Sequence, residues 1–132
     1  MNWLYNKKII ITGASSGIGK QLCLFLTEKY KCNVLGVART ESNLENLQKE
    51  ITKNNGLFNY YCMDVSESEN WYKLRIYTEN INFKPDILIN NAGVMPPFEN
   101  FSYIDEQIVD KVYKTNFFSV TYGVKTFLPI LI

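Results

Sequence analysis

Residues 7–19 read KKIIITGASSGIG, and this stretch decides the fold. Residues 7–12 contain the apolar triplet Ile9, Ile10 and Ile11 and predict a short buried β-strand. The apolar positions that follow the glycines take helical spacing: Ile18, Leu22, Phe25, Leu26 and Tyr30. A strand, a glycine-rich turn and a helix in direct succession predict the opening of a βαβ unit.

The glycine-rich turn lies where a nucleotide-binding α/β fold presents free backbone N–H groups to phosphate. Gly13 can make the sharp turn out of the strand, Gly17 can let a phosphate approach the backbone, and Gly19 can let the helix pack closely on the sheet. Ser15 and Ser16 add hydroxyl donors. The G-x-x-x-G-x-G spacing fits neither the P-loop nor the strict G-x-G-x-x-G fingerprint. The spacing alone therefore leaves a purely structural turn as an alternative.

Three further strand and helix pairs follow along the chain. Strands are predicted at residues 34–38, 58–63 and 86–90, each followed by helical apolar spacing. Gly56 is predicted to end the second helix, and Ser66 with Glu69 to form a capping box that begins the third. One long helix is predicted over residues 104–128. This alternation predicts a single α/β domain over residues 1–132, a doubly wound parallel sheet with helices on both faces.

Composition excludes several classes of function. Fourteen Lys and Arg balance 13 Asp and Glu, and a net charge of +1 is not that of an electrostatic nucleic-acid binder. The absence of histidine excludes a Ser-His-Asp triad and the usual zinc and non-haem iron sites, so no metal is expected. The apolar runs are too short to span a membrane. We therefore expect a soluble, cytoplasmic protein with neither nucleic acid nor membrane as a partner.

Side chains outside these motifs are predicted to have packing roles. Trp71, Tyr77, Phe117, Phe118 and Phe127 fall at helical spacings and are predicted to pack in the core or in an interface. The three cysteines, which form no C-x-x-C pair, are predicted to be buried thiols in a reducing compartment: Cys23, Cys32 and Cys62.

Four motifs in order give the chain a family resemblance. The T-G-x-x-x-G-x-G spacing at residues 12–19 is followed by Asp-Val at residues 64–65, Asn-Asn-Ala-Gly at residues 90–93, and Asn116 in a helical pattern. Together they resemble the short-chain dehydrogenases/reductases, and the resemblance covers essentially the whole chain. It implies a Rossmann-type NAD(P)-binding domain with about four strands in the order 3-2-1-4.

The resemblance also implies roles for individual residues. Asp64 is expected to contact the adenine amino group and Val65 to pack near the adenine ring, while the N-N-A-G segment lines the cofactor ribose. Asn116 is expected to hold a water in the proton relay and is the one catalytic position expected in these 132 residues. The expected cofactor-binding residues are Gly13, Ser15, Ser16, Gly17, Ile18, Gly19, Arg39, Thr40, Asp64, Val65, Asn91, Ala92 and Gly93.

The residues after the second strand favour NADP over NAD. NAD-preferring relatives carry an acid at the position of Ala38, and the next residue here is Arg39. A carboxylate would repel a 2′-phosphate, whereas a guanidinium can bind it through two hydrogen bonds, and Thr40 can add a hydroxyl. A solvated surface arginine, with NAD as the cofactor, is the alternative.

The reaction that the resemblance implies is hydride transfer between NADP(H) and a small-molecule carbonyl or alcohol substrate. The family's Ser, Tyr and Lys follow the asparagine helix, and no Y-x-x-x-K occurs in these 132 residues, where Tyr122 and Lys125 are one residue too close. We therefore expect the chain to be the cofactor-binding part of a longer oxidoreductase and to be inactive alone.

Two further expectations concern assembly and an alternative function. The family commonly pairs subunits through the helix that contains Asn116, so a homo-oligomer of the full-length protein is expected, with Val120, Val124 and Phe127 as interface candidates. The alternative function is a non-enzymatic nucleotide-binding module, or an inactive fragment, that lacks the Tyr-Lys pair.

Overall fold

The computed structural model describes residues 2–131. Short 3₁₀ turns at Asn2–Leu4 and Phe101–Tyr103 accompany the main elements. Those elements alternate along the chain as β1 (Lys8–Thr12), α1 (Gly17–Lys29), β2 (Asn33–Ala38), α2 (Glu41–Lys53), β3 (Leu57–Cys62), α3 (Ser68–Asn80), β4 (Ile87–Ile89), α4 (Glu106–Tyr113), a π segment (Lys114–Phe118) and α5 (Ser119–Leu131).

The strands form one parallel sheet in the order β3-β2-β1-β4. The register places Ile10 of β1 beside Leu35 of β2 and Leu88 of β4. The predicted doubly wound sheet and its 3-2-1-4 order are therefore confirmed. Because the chain winds first toward β3 and then crosses to β4, a crevice opens at the carboxyl ends of β1 and its neighbours, where ligands bind in such sheets.

Alternating side chains give the sheet an apolar layer on each face. Ile9 and Ile11 belong to the cluster that includes apolar residues of α1 and α2. Ile10 belongs to the opposite cluster, which includes Trp71 of α3 and Phe127 of α5. All three isoleucines are fully buried. A strand buried on both faces reads as a continuous apolar run, which explains the unbroken isoleucine triplet.

Four residues with positive φ precede the four strands. They are Asn6 (φ 60°), Lys31 (φ 54°), Asn55 (φ 59°) and Asn82 (φ 54°). At the end of α2, the left-handed residue is therefore Asn55 and not the predicted Gly56. Position 56 needs a glycine for a steric reason, because a Cβ there would collide with the Ile51 side chain.

The predicted start of α3 is also corrected. The helix begins at Ser68 with Glu67 as its N-cap, and no side chain makes a capping hydrogen bond there. Ser66 donates its hydroxyl to Asp64 Oδ1 at 2.7 Å instead of capping the helix. Because the helix begins two residues after Ser66, this residue lies outside the N-cap position and the predicted capping box does not form.

The long helix predicted over residues 104–128 is divided by the π segment into α4 and α5. Trp71 and Phe127 are buried, as predicted for packing residues, whereas Phe117 and Phe118 are 62% and 43% exposed. The two exposed rings do not belong to the core of this chain.

The three cysteines differ in exposure. Cys23 and Cys32 are buried, but Cys62 at the end of β3 is exposed, so the prediction of three buried thiols is wrong at one position.

In residues 2–131, every helix is too short or too polar to cross a membrane.

Candidate functional site

The phosphate-loop candidate leaves β1 through two left-handed glycines. Gly13 has φ +67° and Gly17 has φ +52°, a region that glycine enters without a steric cost. Ser16 is the N-cap of α1, and its side chain makes no capping hydrogen bond. The first N–H groups of a helix have no partner within the helix, so this turn presents donors. A Cβ at Gly17 would have no atom within 4 Å, which shows that the loop is open on that side.

Thr12 and Asn91 join this loop to the N-N-A-G segment. The backbone N–H groups of Asn91 and Ala92 both donate to Thr12 Oγ1 at 3.0 Å. The Asn91 amide donates in turn to the carbonyl oxygens of Thr12 at 3.1 Å and Gly13 at 3.3 Å. Asn91 therefore holds the loop from behind, and Gly19 must remain small because a Cβ there would meet both the Gly13 carbonyl and the Asn91 amide.

Asp64 and Val65 follow β3 and form another wall. Asp64 Oδ1 accepts hydrogen bonds from the backbone N–H of Ser66 at 2.9 Å and from its hydroxyl. Partial burial alone would raise the pKa of Asp64, but the Ser66 hydrogen bonds and the charges of Arg39 and Lys111 outweigh it, so this pKa lies below its ordinary value. Asp64 is therefore an anion at neutral pH, with Oδ2 left to accept a further hydrogen bond.

Arg39 and Thr40 lie at the carboxyl end of β2. Arg39 is exposed, and its carbonyl oxygen accepts a hydrogen bond from the Cys62 thiol at 3.1 Å. Thr40 is the N-cap of α2, and its side chain makes no capping bond, so its hydroxyl is available. The two residues present a cation, a hydroxyl and the N-terminal end of a helix, an arrangement that suits an anion.

Asn116 lies in the π segment and binds the chain after the N-N-A-G motif. Its Oδ1 accepts from the Val94 N–H at 2.8 Å, and its Nδ2 donates to the Val94 carbonyl at 2.7 Å. This pair of bonds satisfies the amide that the sequence placed in an apolar helical pattern. It fixes the loop after Gly93 against the π segment, beside Thr115.

These walls enclose a crevice of about 240 Å³. It brings together Ala38, nine of the thirteen residues predicted to bind the cofactor, and four residues that were not predicted. The predicted ones are Gly13, Ser15, Ser16, Arg39, Thr40, Asp64, Val65, Ala92 and Gly93. The unpredicted ones are Asn43, Met63, Val94 and Thr115.

The other predicted residues surround this crevice without lining it. Gly17 lies at the open side of the loop, Gly19 and Asn91 support it from behind, and Asn116 acts on it through Val94. Ile18 is 79% exposed and lines an apolar surface with Leu22 and Phe25. Within residues 2–131, no group of three or more acidic, cysteine or histidine side chains could hold a metal ion.

Among the unpredicted residues, three lie next to a motif of the sequence. Val94 directly follows the N-N-A-G motif, Thr115 directly precedes Asn116, and Met63 directly precedes Asp64. Asn43 carried no such signal, because it enters the crevice from the first turn of α2.

Known proteins resemble this chain in both sequence and structure. The family model described as short chain dehydrogenase matches residues 7–132. A benzil reductase ((S)-benzoin forming) of Saccharomyces cerevisiae is 35% identical over 130 residues, which are 95% of this chain and 49% of that protein. An L-xylulose reductase of Caenorhabditis elegans is 36% identical over 112 residues, which are 84% of this chain and 42% of that protein.

Solved structures show the same fold. L-sorbose reductase from Gluconobacter frateurii, complexed with NADPH and L-sorbose, matches with a TM-score of 0.87 at 20% identity, covering 96% of this chain and 48% of that one. An alcohol dehydrogenase from the archaeon Thermococcus sibiricus, complexed with 5-hydroxy-NADP, matches with a TM-score of 0.87 at 25% identity, covering 95% of this chain and 53% of that one.

The chain spans about half the length of the curated relatives that it matches. Within that half, the match includes the glycine loop, the crevice walls and the helix that carries Asn116. The chain therefore belongs to the short-chain dehydrogenase family of oxidoreductases.

Proposed function

We propose that the crevice binds the adenosine half of NADP(H), and that the whole protein transfers a hydride between this cofactor and a carbonyl or alcohol substrate. The observation that carries the cofactor proposal is the position of Arg39 and Thr40 at the crevice edge, next to Ala38, where an acid would select NAD. The NADPH and 5-hydroxy-NADP in the two neighbouring structures support it.

The residues present fit such a cofactor. The open side of Gly17, together with Ser15, Ser16 and the free N–H groups at the start of α1, would hold the pyrophosphate. Ala92 and Gly93 would lie beside the ribose of the nicotinamide half. Gly19 and Ile18 complete the proposed loop, the first by letting α1 pack closely and the second from its exposed position.

Electrostatics distinguish the two ends of the adenosine half. Arg39 would bind the 2′-phosphate through two charge-assisted hydrogen bonds, with Thr40 as a further donor. Asp64 is anionic and has one oxygen available, so it would accept a hydrogen bond from the adenine amino group and would repel a phosphate. Val65 would pack against the ring. The cation and the anion of this crevice therefore fix the orientation of the nucleotide.

The reaction is proposed for the whole protein. The bound cofactor would supply or accept the hydride, and the chain's own contribution is to bind and orient it. Asn91 and Asn116 keep the two loops of the crevice in place, and Asn116 is also our proposed position for a water of the proton relay. Residues 1–132 are proposed as the NAD(P)-binding part of the short-chain dehydrogenase domain. The second candidate function is a nucleotide-binding module without catalysis, which would need only the crevice described above.

Titration calorimetry of the chain with NADPH and with NADH tests the cofactor proposal. We expect NADPH to bind more tightly, and Arg39→Gln to weaken NADPH binding by about 10- to 100-fold, the value of a charge-assisted hydrogen bond, while NADH binding is unchanged. Lys49→Gln removes another exposed cation, from α2 outside the crevice, and should change neither affinity. Equal affinities of the unmodified chain for NADPH and NADH would refute the proposal.

A further inference from the structure

Trp71 contacts the loop that carries the proposed adenine wall. It lies in α3, is 1% exposed, and its indole N–H donates to the Val65 carbonyl at 2.9 Å. The preceding residue, Asn70, donates from its amide to the Asp64 carbonyl at 3.0 Å. Two consecutive side chains of α3 therefore bind two consecutive carbonyls of the segment whose other faces line the crevice.

The same indole is tightly packed against α5. A Cβ at Gly123 would lie 2.7 Å from Trp71 Cη2 and 2.9 Å from Cζ3, so the ring occupies the space that this glycine leaves. The Phe127 ring meets it edge-on, with centroids 6.4 Å apart and an interplanar angle of 68°. Because α5 directly continues the π segment that carries Thr115, the ring joins the adenine wall to the helix behind the opposite wall.

We propose that Trp71 is a positioning residue for the adenine end of the crevice: its indole N–H, held in place by Gly123 and Phe127, fixes the Val65 carbonyl and so the orientation of Asp64 and Val65. The proposal rests on the proposed cofactor binding. The Val65 carbonyl lies beside a side chain that is 5% exposed, and a buried carbonyl without a donor rotates toward another partner. Such a rotation turns the peptide that carries the adenine contacts.

Trp71→Phe keeps a ring in the core and removes the donor, and adenosine 2′,5′-bisphosphate probes the adenosine half without nicotinamide. We expect calorimetry to show about tenfold weaker binding of this ligand. Phe83→Leu is the matched control, because it loosens the same buried cluster from the segment before β4 and leaves in place the groups that hold the indole and the Val65 carbonyl. It should lower the melting temperature and leave the dissociation constant within about twofold. Unchanged binding to Trp71→Phe, or equal weakening in both variants, would overturn the positioning role.

A measurement on the unmodified chain covers the case in which Trp71→Phe does not fold. The chain has two tryptophans, and Trp3 is 63% exposed, so an ¹⁵N-labelled sample gives two indole N–H signals that Trp3→Phe assigns. We expect the Trp71 signal to shift on saturation with adenosine 2′,5′-bisphosphate, and the Trp3 signal to stay. A saturating titration that leaves the Trp71 signal in place would overturn the role alone. No binding at all would overturn the proposed cofactor function and the role with it.

Discussion

Gly19→Ala tests the close approach of α1 to the phosphate loop. The new Cβ would contact the Gly13 carbonyl oxygen and lie 2.6 Å from the Asn91 amide nitrogen and 2.8 Å from the Gly13 carbonyl carbon. The Asn91 amide cannot move aside without losing its bonds to the Thr12 and Gly13 carbonyls. Overpacking costs about 1–3 kcal/mol and each lost hydrogen bond about 1 kcal/mol, whereas alanine in a helix gains about 1 kcal/mol over glycine.

We therefore expect Gly19→Ala to lower the free energy of unfolding by about 3 kcal/mol. Urea denaturation followed by circular dichroism measures this as a lower midpoint at an unchanged m-value. Gly17→Ala is the matched control, because it meets no atom within 4 Å and bears only the cost of its left-handed φ, about 1–2 kcal/mol. If Gly19→Ala destabilised the protein no more than Gly17→Ala, the close-approach reasoning would be refuted.

Three further predictions concern single side chains. Asn116→Ala should speed hydrogen exchange at the Val94 amide severalfold and leave exchange at the Ala92 amide, which donates to Thr12 Oγ1, unchanged; equal acceleration at both amides would contradict this role. In native protein at pH 8, a disulfide reagent should modify Cys62 promptly, while Cys23, whose pKa burial raises to about 12, should react only after unfolding. Because the pKa of Asp64 is lowered on folding, its ionised form stabilises the protein above its ordinary pKa of about 3.9, and this contribution is lost as the pH falls through the lower, folded value. Asp64→Asn should therefore reduce stability at pH 7, and this effect should shrink as the pH falls below about 3.9; an effect that does not change with pH would contradict the shift.

The strands were predictable from the sequence because each is short and followed by helical apolar spacing, whereas their order was an implication of the family resemblance. The triplet Ile9, Ile10 and Ile11 could be buried only in a sheet covered on both faces, and the structure places them in two opposite layers. The π segment was not predictable, because its apolar spacing continues that of the helices on either side. It contains Asn116, whose side chain pairs with Val94, a residue distant in sequence.

Two predictions at helix ends were wrong because a neighbouring residue takes the predicted role. The spacing of Ser66 and Glu69 is that of a capping box, but the helix begins at Ser68 with Glu67 as its N-cap. Gly56 looks like a helix stop, but asparagine tolerates the left-handed region, and Asn55 reaches it first. In both cases the sequence held two candidates for one role, and spacing alone did not rank them.

The candidate site was predictable where a motif is continuous in sequence and not where the fold assembles it. The loop residues Gly13, Ser15 and Ser16 line the crevice as expected. Asn43 enters it from α2, and no local pattern marks it. The carbonyls that Asn91 binds were likewise not predictable, because they belong to residues 78 and 79 positions earlier in the chain.

The two ends of the sheet differ in the residue types that occupy left-handed positions. At the carboxyl end, where a ligand must approach, the left-handed positions are glycines; at the amino end, Asn6, Lys31, Asn55 and Asn82 make the corresponding reversals. A side chain held at positive φ costs free energy that glycine does not, most of all for lysine, which lacks the local hydrogen bonding of asparagine. The amino end is therefore where this protein can be engineered for greater thermal tolerance, beginning with Lys31→Gly. Substitutions there are distant from the crevice at the carboxyl end.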